Sequence, residues 1–372
     1  MTFEQRLSSD GQKKMLALDG GGIRGVIALE VLKRIEQILR ERERNPNLVL
    51  SDYFDYFAGT STGAIIATCL SIGMTVDQIA SFYYDSGPAM FSRAGMLKRF
   101  WYKFNDEKLA DRLRDVFGKD TRLGDPKLRT LLMMVLRNAT TDSPWPVSNN
   151  PRAKYNRSDR PDSNLNLPLW QLVRASTAAP TFFPPEVVTV GKRDFVFVDG
   201  GVTMYNNPAF QMFLMATLEP YKLQWNTGVD KMLIISVGTG TSPSPDANLR
   251  SGDMNLAYQA NSIPSALMYA ALNEQDLLCR VFGRMLAGCE LDREIGTLKN
   301  SAGPLQQKLF TYARYNAELS REGLDQLGLP QLRPEHVRQM DSVEFIPDMQ
   351  AVGQKVAELE VKSEHFEGFS AS

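Results

Sequence analysis

KMLALDGGGIRGVIALEVLKRIEQILRERER, residues 14–44, decides the fold class. Lys14 to Asp19 reads as a short strand that ends in a run of glycines. From Arg24 to Arg44, Ile27, Val31, Ile35 and Ile38 recur at helical spacing with charged residues between them. Strand, glycine turn and helix in succession open an α/β unit. A second copy of that syntax follows: an aromatic strand from Tyr53 to Ala58, a tight turn over Gly59 to Gly63, and a small-residue helix from Thr62 to Ile72. Thr75 and Gln78 then form a capping box for a helix running to about Tyr84.

Further along, a helix is expected over Asp106 to Phe117 and a strand over Leu128 to Leu136. Residues 143–168 hold five prolines among many polar residues and read as a long loop. A helix near Leu169 to Ala178 stops at PTFFPP. Phe195 to Val198 is a strand delivering Asp199-Gly200-Gly201, and Met232 to Val237 is another, ending in Gly238-Thr239-Gly240. From about Pro264 the chain reads as mostly helical, with a late strand at Leu309 to Ala313. The expected division is a core over 13–240 and a mostly helical C-terminal extension, packed on the core, over 241–372.

With 372 residues, 43% of them hydrophobic and 23% charged, the chain has globular composition. Forty-two Lys and Arg oppose 43 Asp and Glu, for a net charge of −1, which disfavours a protein that coats nucleic acid. Three cysteines, Cys69, Cys279 and Cys289, are too few and scattered for a disulfide scaffold or zinc cluster and suit a reducing, intracellular compartment. The opening MTFEQRLSSDGQKK has no secretory pattern. Residues 56–76, 200–218 and 254–273 each lack charge, but glycines, hydroxyls or a proline interrupt all three, so none reads as a membrane span. The only histidines are His336 and His365, both expected on the surface, so a His-rich metal site is not expected.

Three glycine-punctuated turns therefore sit at strand ends: Asp19 to Gly25, Gly59 to Gly63, and Asp199 to Gly201. In a parallel sheet the carboxyl ends of the strands share one edge, where ligands bind. Gly59-x-Ser61-x-Gly63 has the nucleophile-elbow pattern, a strained turn that lifts a serine hydroxyl clear of the sheet. Gly20 to Gly25 fits G-x-G-x-x-G and carries two readings. One is a dinucleotide-binding turn, with Glu41 or Glu43 as the ribose acid. The other is a nest of N–H groups for an oxyanion, with Arg24 adding positive potential. A serine nucleophile needs a proton acceptor. With no histidine before residue 336, Asp199 at a strand end is the best candidate, although an aspartate of ordinary pKa, roughly 3.9, is a weak base.

Taken together, DGGGIRG, GTSTG and DGG, in that order, resemble the signatures of the patatin-like phospholipases. Arg174-Ala175-Ser176-Thr177-Ala178-Ala179-Pro180 is similar to the family pattern upstream of its aspartate. The resemblance covers about residues 13–240. It implies a three-layer α/β/α fold with a central, mainly parallel sheet, and a phospholipase with a Ser-Asp dyad. Ser61 would be nucleophile, Asp199 base, Gly20, Gly21, Gly22 and Arg24 the oxyanion region, and Gly59 and Gly63 the elbow glycines. No metal or cofactor is implied. Within the family, DGGGIRG near the start, RASTAAPTFFPPE and the long C-terminal extension resemble CapV-type (CBASS) antiphage effectors. That narrower resemblance implies a cyclic dinucleotide such as cGAMP as activator, homo-oligomers on activation, and membrane phospholipid as substrate at the cytoplasmic face of the inner membrane.

Other assignments compete. Phe91, Phe100, Trp101, Tyr102 and Phe104, interleaved with Arg93, Lys98, Arg99 and Lys103, suit an interfacial lipid patch or equally a core helix with a cationic face. Arg152, Lys154, Arg157 and Arg160 suit a phosphate-binding or a merely solvated loop. A constitutive lipase, a nicotinamide-dependent enzyme and a non-catalytic lipid-binding protein are the alternatives for the whole chain.

Overall fold

Each of the first two strands is buried along its whole length, as strands covered on both faces must be. The computed structural model describes residues 2–91, 102–180, 182–241 and 256–371. Its strands are β1 (Lys13–Leu18), β2 (Tyr56–Thr60), β3 (Leu131–Asn138), β4 (Ser143–Ser148), β5 (Glu186–Val190), β6 (Arg193–Asp199), β7 (Met232–Val237), β8 (Gly283–Ala287) and β9 (Phe310–Tyr315). The helices up to residue 180 are α1 (Phe3–Leu7), α2 (Gly25–Arg42), α3 (Leu50–Tyr53), α4 (Thr62–Ser71), α5 (Val76–Phe91), α6 (Tyr102–Phe117) and α7 (Leu169–Ser176). Beyond them come α8 (Ala209–Thr217), α9 (Leu256–Phe282), α10 (Arg321–Gln326), α11 (Pro334–Arg338) and α12 (Ile346–Glu360).

One nine-stranded sheet runs β5-β6-β3-β2-β1-β7-β9-β8, with β4 paired to β3. The six strands from β3 to β8 in that order are parallel, and β4, β5 and β6 are joined by antiparallel pairing. Alternation along each strand feeds two cores. Leu16, Leu18, Phe57 and Met134 face the layer that contains α2, α4, α7 and α12. Met15, Ala17, Ala58 and Met133 face α8 and the end of α9. The result is the expected three-layer α/β/α architecture around a mainly parallel sheet.

The pairing of β3 brings the site together. Thr60, the last residue of β2, lies opposite Val135. The next position, Leu136, lies opposite Asp199 of β6. Since β4 occupies the other edge of β3, β6 takes up the edge that β2 leaves. Ser61 and Asp199, 138 residues apart in sequence, are thereby neighbours.

Several expectations need correction. The proline-rich stretch starts with β4, whose Pro144 and Pro146 lie opposite Arg137 and Val135. Proline fits an edge strand when its missing N–H would face away from the partner. Beyond residue 240 the chain is mostly helical, but β8 and β9 also extend the sheet, so a boundary at 240 divides one sheet. Residues 92–101 lie outside the described residues, and the aromatic and basic patch expected there falls largely within them. Arg157 pairs with Asp159 and Arg160 with Asp162, so these two loop cations are matched locally. Among the described residues no helix is long and apolar enough to cross a membrane.

Candidate active site

Ser61 sits where β2 turns into α4, with φ +54° and ψ −123°. That backbone is uncommon for a residue with a side chain and costs on the order of 1–3 kcal/mol. The flanking glycines allow it through close approach. A Cβ on Gly59 would lie 2.1 Å from the Gly63 carbonyl oxygen, and one on Gly63 would lie 2.3 Å from that of Leu18. Ser176 of α7 braces the turn: its Oγ accepts from the Ser61 N–H at 3.0 Å and donates to the Val135 carbonyl at 2.7 Å. The helix that starts at Thr62 directs its positive end at this turn.

Across the turn, Ser61 Oγ donates to Asp199 Oδ2 at 2.6 Å. The other carboxylate oxygen accepts from the Gly201 N–H, also at 2.6 Å. Burial pushes the Asp199 carboxyl up to about 6, against the hydrogen bonds from Ser61 and Gly201 and the charge of Arg174. A carboxylate raised in this way binds a proton more tightly than an ordinary aspartate does. The RASTAAP segment holds this carboxylate from behind. The Asp199 N–H donates to the Ala178 carbonyl at 2.9 Å, and Arg174, wholly buried, stacks over Phe183.

The glycine loop lies against the serine, with a Cβ built on Gly20 falling 3.2 Å from Ser61 Cβ. Its N–H groups are not equivalent. That of Gly20 donates to the Asn206 carbonyl at 3.3 Å, and that of Ile23 to the Met340 carbonyl at 2.9 Å. Among the described residues those of Gly21 and Gly22 make no hydrogen bond, so these two N–H groups of the loop stay open to an acceptor. Gly22 has φ +61°, and Met340 stands over it, so a side chain there meets both strain and collision. Arg24 is buried and held down to about 10 by desolvation, and its Nη1 donates to the Arg338 carbonyl at 3.3 Å. The cation whose charge reaches Asp199 is Arg174 rather than Arg24.

Asp19 serves architecture. Arg314 of β9 grips its carboxylate through two bonds, at 2.8 and 2.5 Å, and also donates to Ser236 at 2.7 Å. Glu41 and Glu43, the ribose-acid candidates, lie at the far end of α2, roughly 24 Å from Gly25 at 1.5 Å per residue. That distance, with the Met340 carbonyl seated on Gly22, removes the dinucleotide-binding reading. His365 is buried, with Nδ1 2.8 Å from Tyr315 Oη, contrary to the expected surface position. His336 stacks on Phe345 and pairs with Asp348 at 3.1 Å. Among the described residues no group of three His, Cys, Asp or Glu side chains could hold a metal ion.

A family model described as Patatin-like phospholipase matches residues 16–213, more than half of the chain. The chain belongs to the patatin-like phospholipase family. Among its relatives, Patatin-T5 of Solanum tuberosum and Patatin-17 of Solanum cardiophyllum are each 28% identical over 250 residues. The match takes in 62% of this patatin-like chain and spans 61% of the length of either relative. Among solved structures, VipD from Legionella pneumophila is 13% identical, with a TM-score of 0.39 over 92% of this chain and 67% of VipD.

Proposed function

We propose that this patatin-like protein is a serine-dependent lipid acyl hydrolase in which Ser61 is the nucleophile and Asp199 the base. The observation that carries the reading is the 2.6 Å contact between Ser61 Oγ and a buried carboxylate poised near pH 6. As Oγ bonds to the ester carbonyl carbon, its proton passes to Asp199 Oδ2, and the carbonyl oxygen becomes an oxyanion. The Gly21 and Gly22 N–H groups and the α4 amino end stabilise that charge. Collapse breaks the ester bond, and the leaving alkoxide takes the proton from Asp199. Asp199 then deprotonates a water that attacks the acyl carbon, and as the bond to Ser61 breaks the fatty acid leaves while Ser61 Oγ takes the proton back from Asp199. The substrate proposed is the acyl ester of a membrane phospholipid.

A finer reading adds control by a cyclic dinucleotide, of the cGAMP kind, in antiphage defence, with homo-oligomers forming on activation at the cytoplasmic face of the inner membrane. It is supported by the RASTAAPTFFPPE segment and the long region after residue 240. A physical route supports it too. Arg314 on Asp19, Met340 on Ile23 and Arg338 on Arg24 tie that region to the glycine loop, so a ligand bound there has a path to the oxyanion donors. The test is phospholipid hydrolysis by the purified chain with and without a panel of cyclic dinucleotides, alongside sizing. Slow turnover that one nucleotide raises, with a larger particle, is the expected outcome. Fast turnover indifferent to every nucleotide would leave a constitutive lipase and remove the finer reading.

A further inference from the structure

The loop between Asp199 and α8 carries a side chain that the mechanism above does not use. This loop crosses the carboxyl edge of the sheet in single-residue steps. The Tyr205 carbonyl accepts from Thr60 Oγ1 at the end of β2, at 2.7 Å. The Asn206 carbonyl accepts from the Gly20 N–H just beyond β1, at 3.3 Å. Asn207 Oδ1 accepts from Ser236 Oγ on β7, also at 3.3 Å. Since β2, β1 and β7 are consecutive in the sheet, Asn206 is set beside the turn that carries Ser61. The two asparagines differ in what their side chains do. Asn207 is wholly buried, and its Oδ1 also accepts from the Ala209 N–H at 3.1 Å, which fixes the start of α8. The Asn206 side chain makes no hydrogen bond among the described residues, although Asn206 is only 8% exposed. A polar group buried to that degree normally has a partner.

The surroundings of that amide are the reacting groups. A Cβ built on Gly20 would stand 2.4 Å from Asn206 Oδ1, 3.2 Å from Ser61 Cβ and 3.2 Å from the Thr60 carbonyl oxygen. A Cβ built on Gly201 would stand 3.3 Å from the same Oδ1 and 3.0 Å from Asp199 Oδ1. The amide is thus wedged between two glycines, one against the nucleophile and the other against the base. Neither glycine has a positive φ, so both positions call for room rather than for left-handed backbone. The amide oxygen is nearer to both glycines than Cγ is, so Nδ2 points away from them with its two N–H donors unused.

We infer that Asn206 is a further catalytic residue, whose side-chain N–H donates to the oxyanion formed when Ser61 attacks the ester. The inference rests on the serine-hydrolase reading and adds to it a donor that lies outside the glycine motifs. An amide held in place before the substrate arrives needs no reorganisation as charge develops, which is what makes such a donor effective. Being neutral, it also stabilises that charge without lowering the proton affinity of Asp199, as a cation in the same place would.

The test is steady-state hydrolysis of a soluble short-chain ester by the full chain at alkaline pH, with folding checked by circular dichroism. Asn206→Ala removes the donor, and kcat should fall on the order of 10²-fold with little change in KM, since the contact forms only in the transition state. Asn206→Asp keeps the shape that fills the gap between Gly20 and Gly201, and its negative charge should make kcat lower still. A side chain that only packs those glycines would give the opposite order, with Asn206→Asp close to wild type and Asn206→Ala the slower. Asn206→Asp is therefore decisive even where Asn206→Ala is too unstable to assay. Wild-type kcat in either folded variant would overturn the inference, and so would a raised KM with kcat unchanged. Ser61→Ala is the control. Turnover there at the wild-type rate would overturn the hydrolase reading and the inference together. An inactive Ser61→Ala beside an unimpaired Asn206→Asp would overturn the inference alone.

Discussion

Asp199 has two jobs at the scale of one residue, and its two oxygens divide them. Oδ1 is fixed by the Gly201 N–H, while Oδ2 faces Ser61. Burial raises its pKa to about 6, and the deprotonated form is the one able to accept the serine proton. In the proposed mechanism the base is therefore lost as pH falls. The kcat/KM for a soluble ester should be flat above about pH 7 and decline roughly tenfold per unit below about pH 6. A limb centred near the ordinary carboxylate value of about 4 would contradict a base of this kind. At this scale the sequence was informative, because each of Ser61, Gly59, Gly63 and Asp199 belongs to a turn with a local signature. The unequal engagement of the N–H groups from Gly20 to Ile23 was not legible, because it is set by the Asn206 carbonyl on Gly20 and the Met340 carbonyl on Ile23, both from distant segments.

At the scale of elements, the site is a junction of β2, β6 and α7 on the end of β3. Ser176 is its keystone, joining the Ser61 N–H to the Val135 carbonyl. Ser176→Ala leaves that N–H without its acceptor at a strained turn, so about 1–3 kcal/mol of stability should be lost. Denaturant unfolding measures this, and single-turnover ester cleavage should slow alongside it. An unchanged unfolding midpoint would show that the elbow does not need the brace. Sequence periodicity found β1, β2, β6 and β7 because apolar runs next to glycine turns are local signals. It missed β4, whose prolines mimic a loop, and β8, whose GRMLA is short and begins with glycine and arginine. It took residues 53–58 as a strand, where α3 occupies the start and β2 begins at Tyr56.

For the whole molecule, the expected division at residue 240 gives way to one sheet closed by a buried ion pair. Asp19 and Arg314 are 295 positions apart, and both side chains are almost wholly inaccessible. Sequence spacing carries no signal for such a pair. Arg314→Met strands the Asp19 carboxylate in the interior and should cost about 3–5 kcal/mol, while Asp19→Asn in the same chain should recover part of it. Chemical denaturation of the two variants tests this, and a loss under about 1 kcal/mol for Arg314→Met would contradict it. The region after 240 thus holds the first residue of the DGGGIRG turn, which makes the proposed regulation from that side physically direct.

The central claim is that Asp199 alone serves as base for Ser61, and Asp199→Asn tests it most directly because the amide keeps the shape and can still accept a hydrogen bond. The measurement is kcat on a soluble ester for Asp199→Asn, Ser61→Ala and the double variant, with folding checked by circular dichroism. The account predicts a loss on the order of 10² to 10⁴ for Asp199→Asn, and a double variant no slower than the slower of the two single ones. A folded Asp199→Asn protein that keeps wild-type kcat would contradict it.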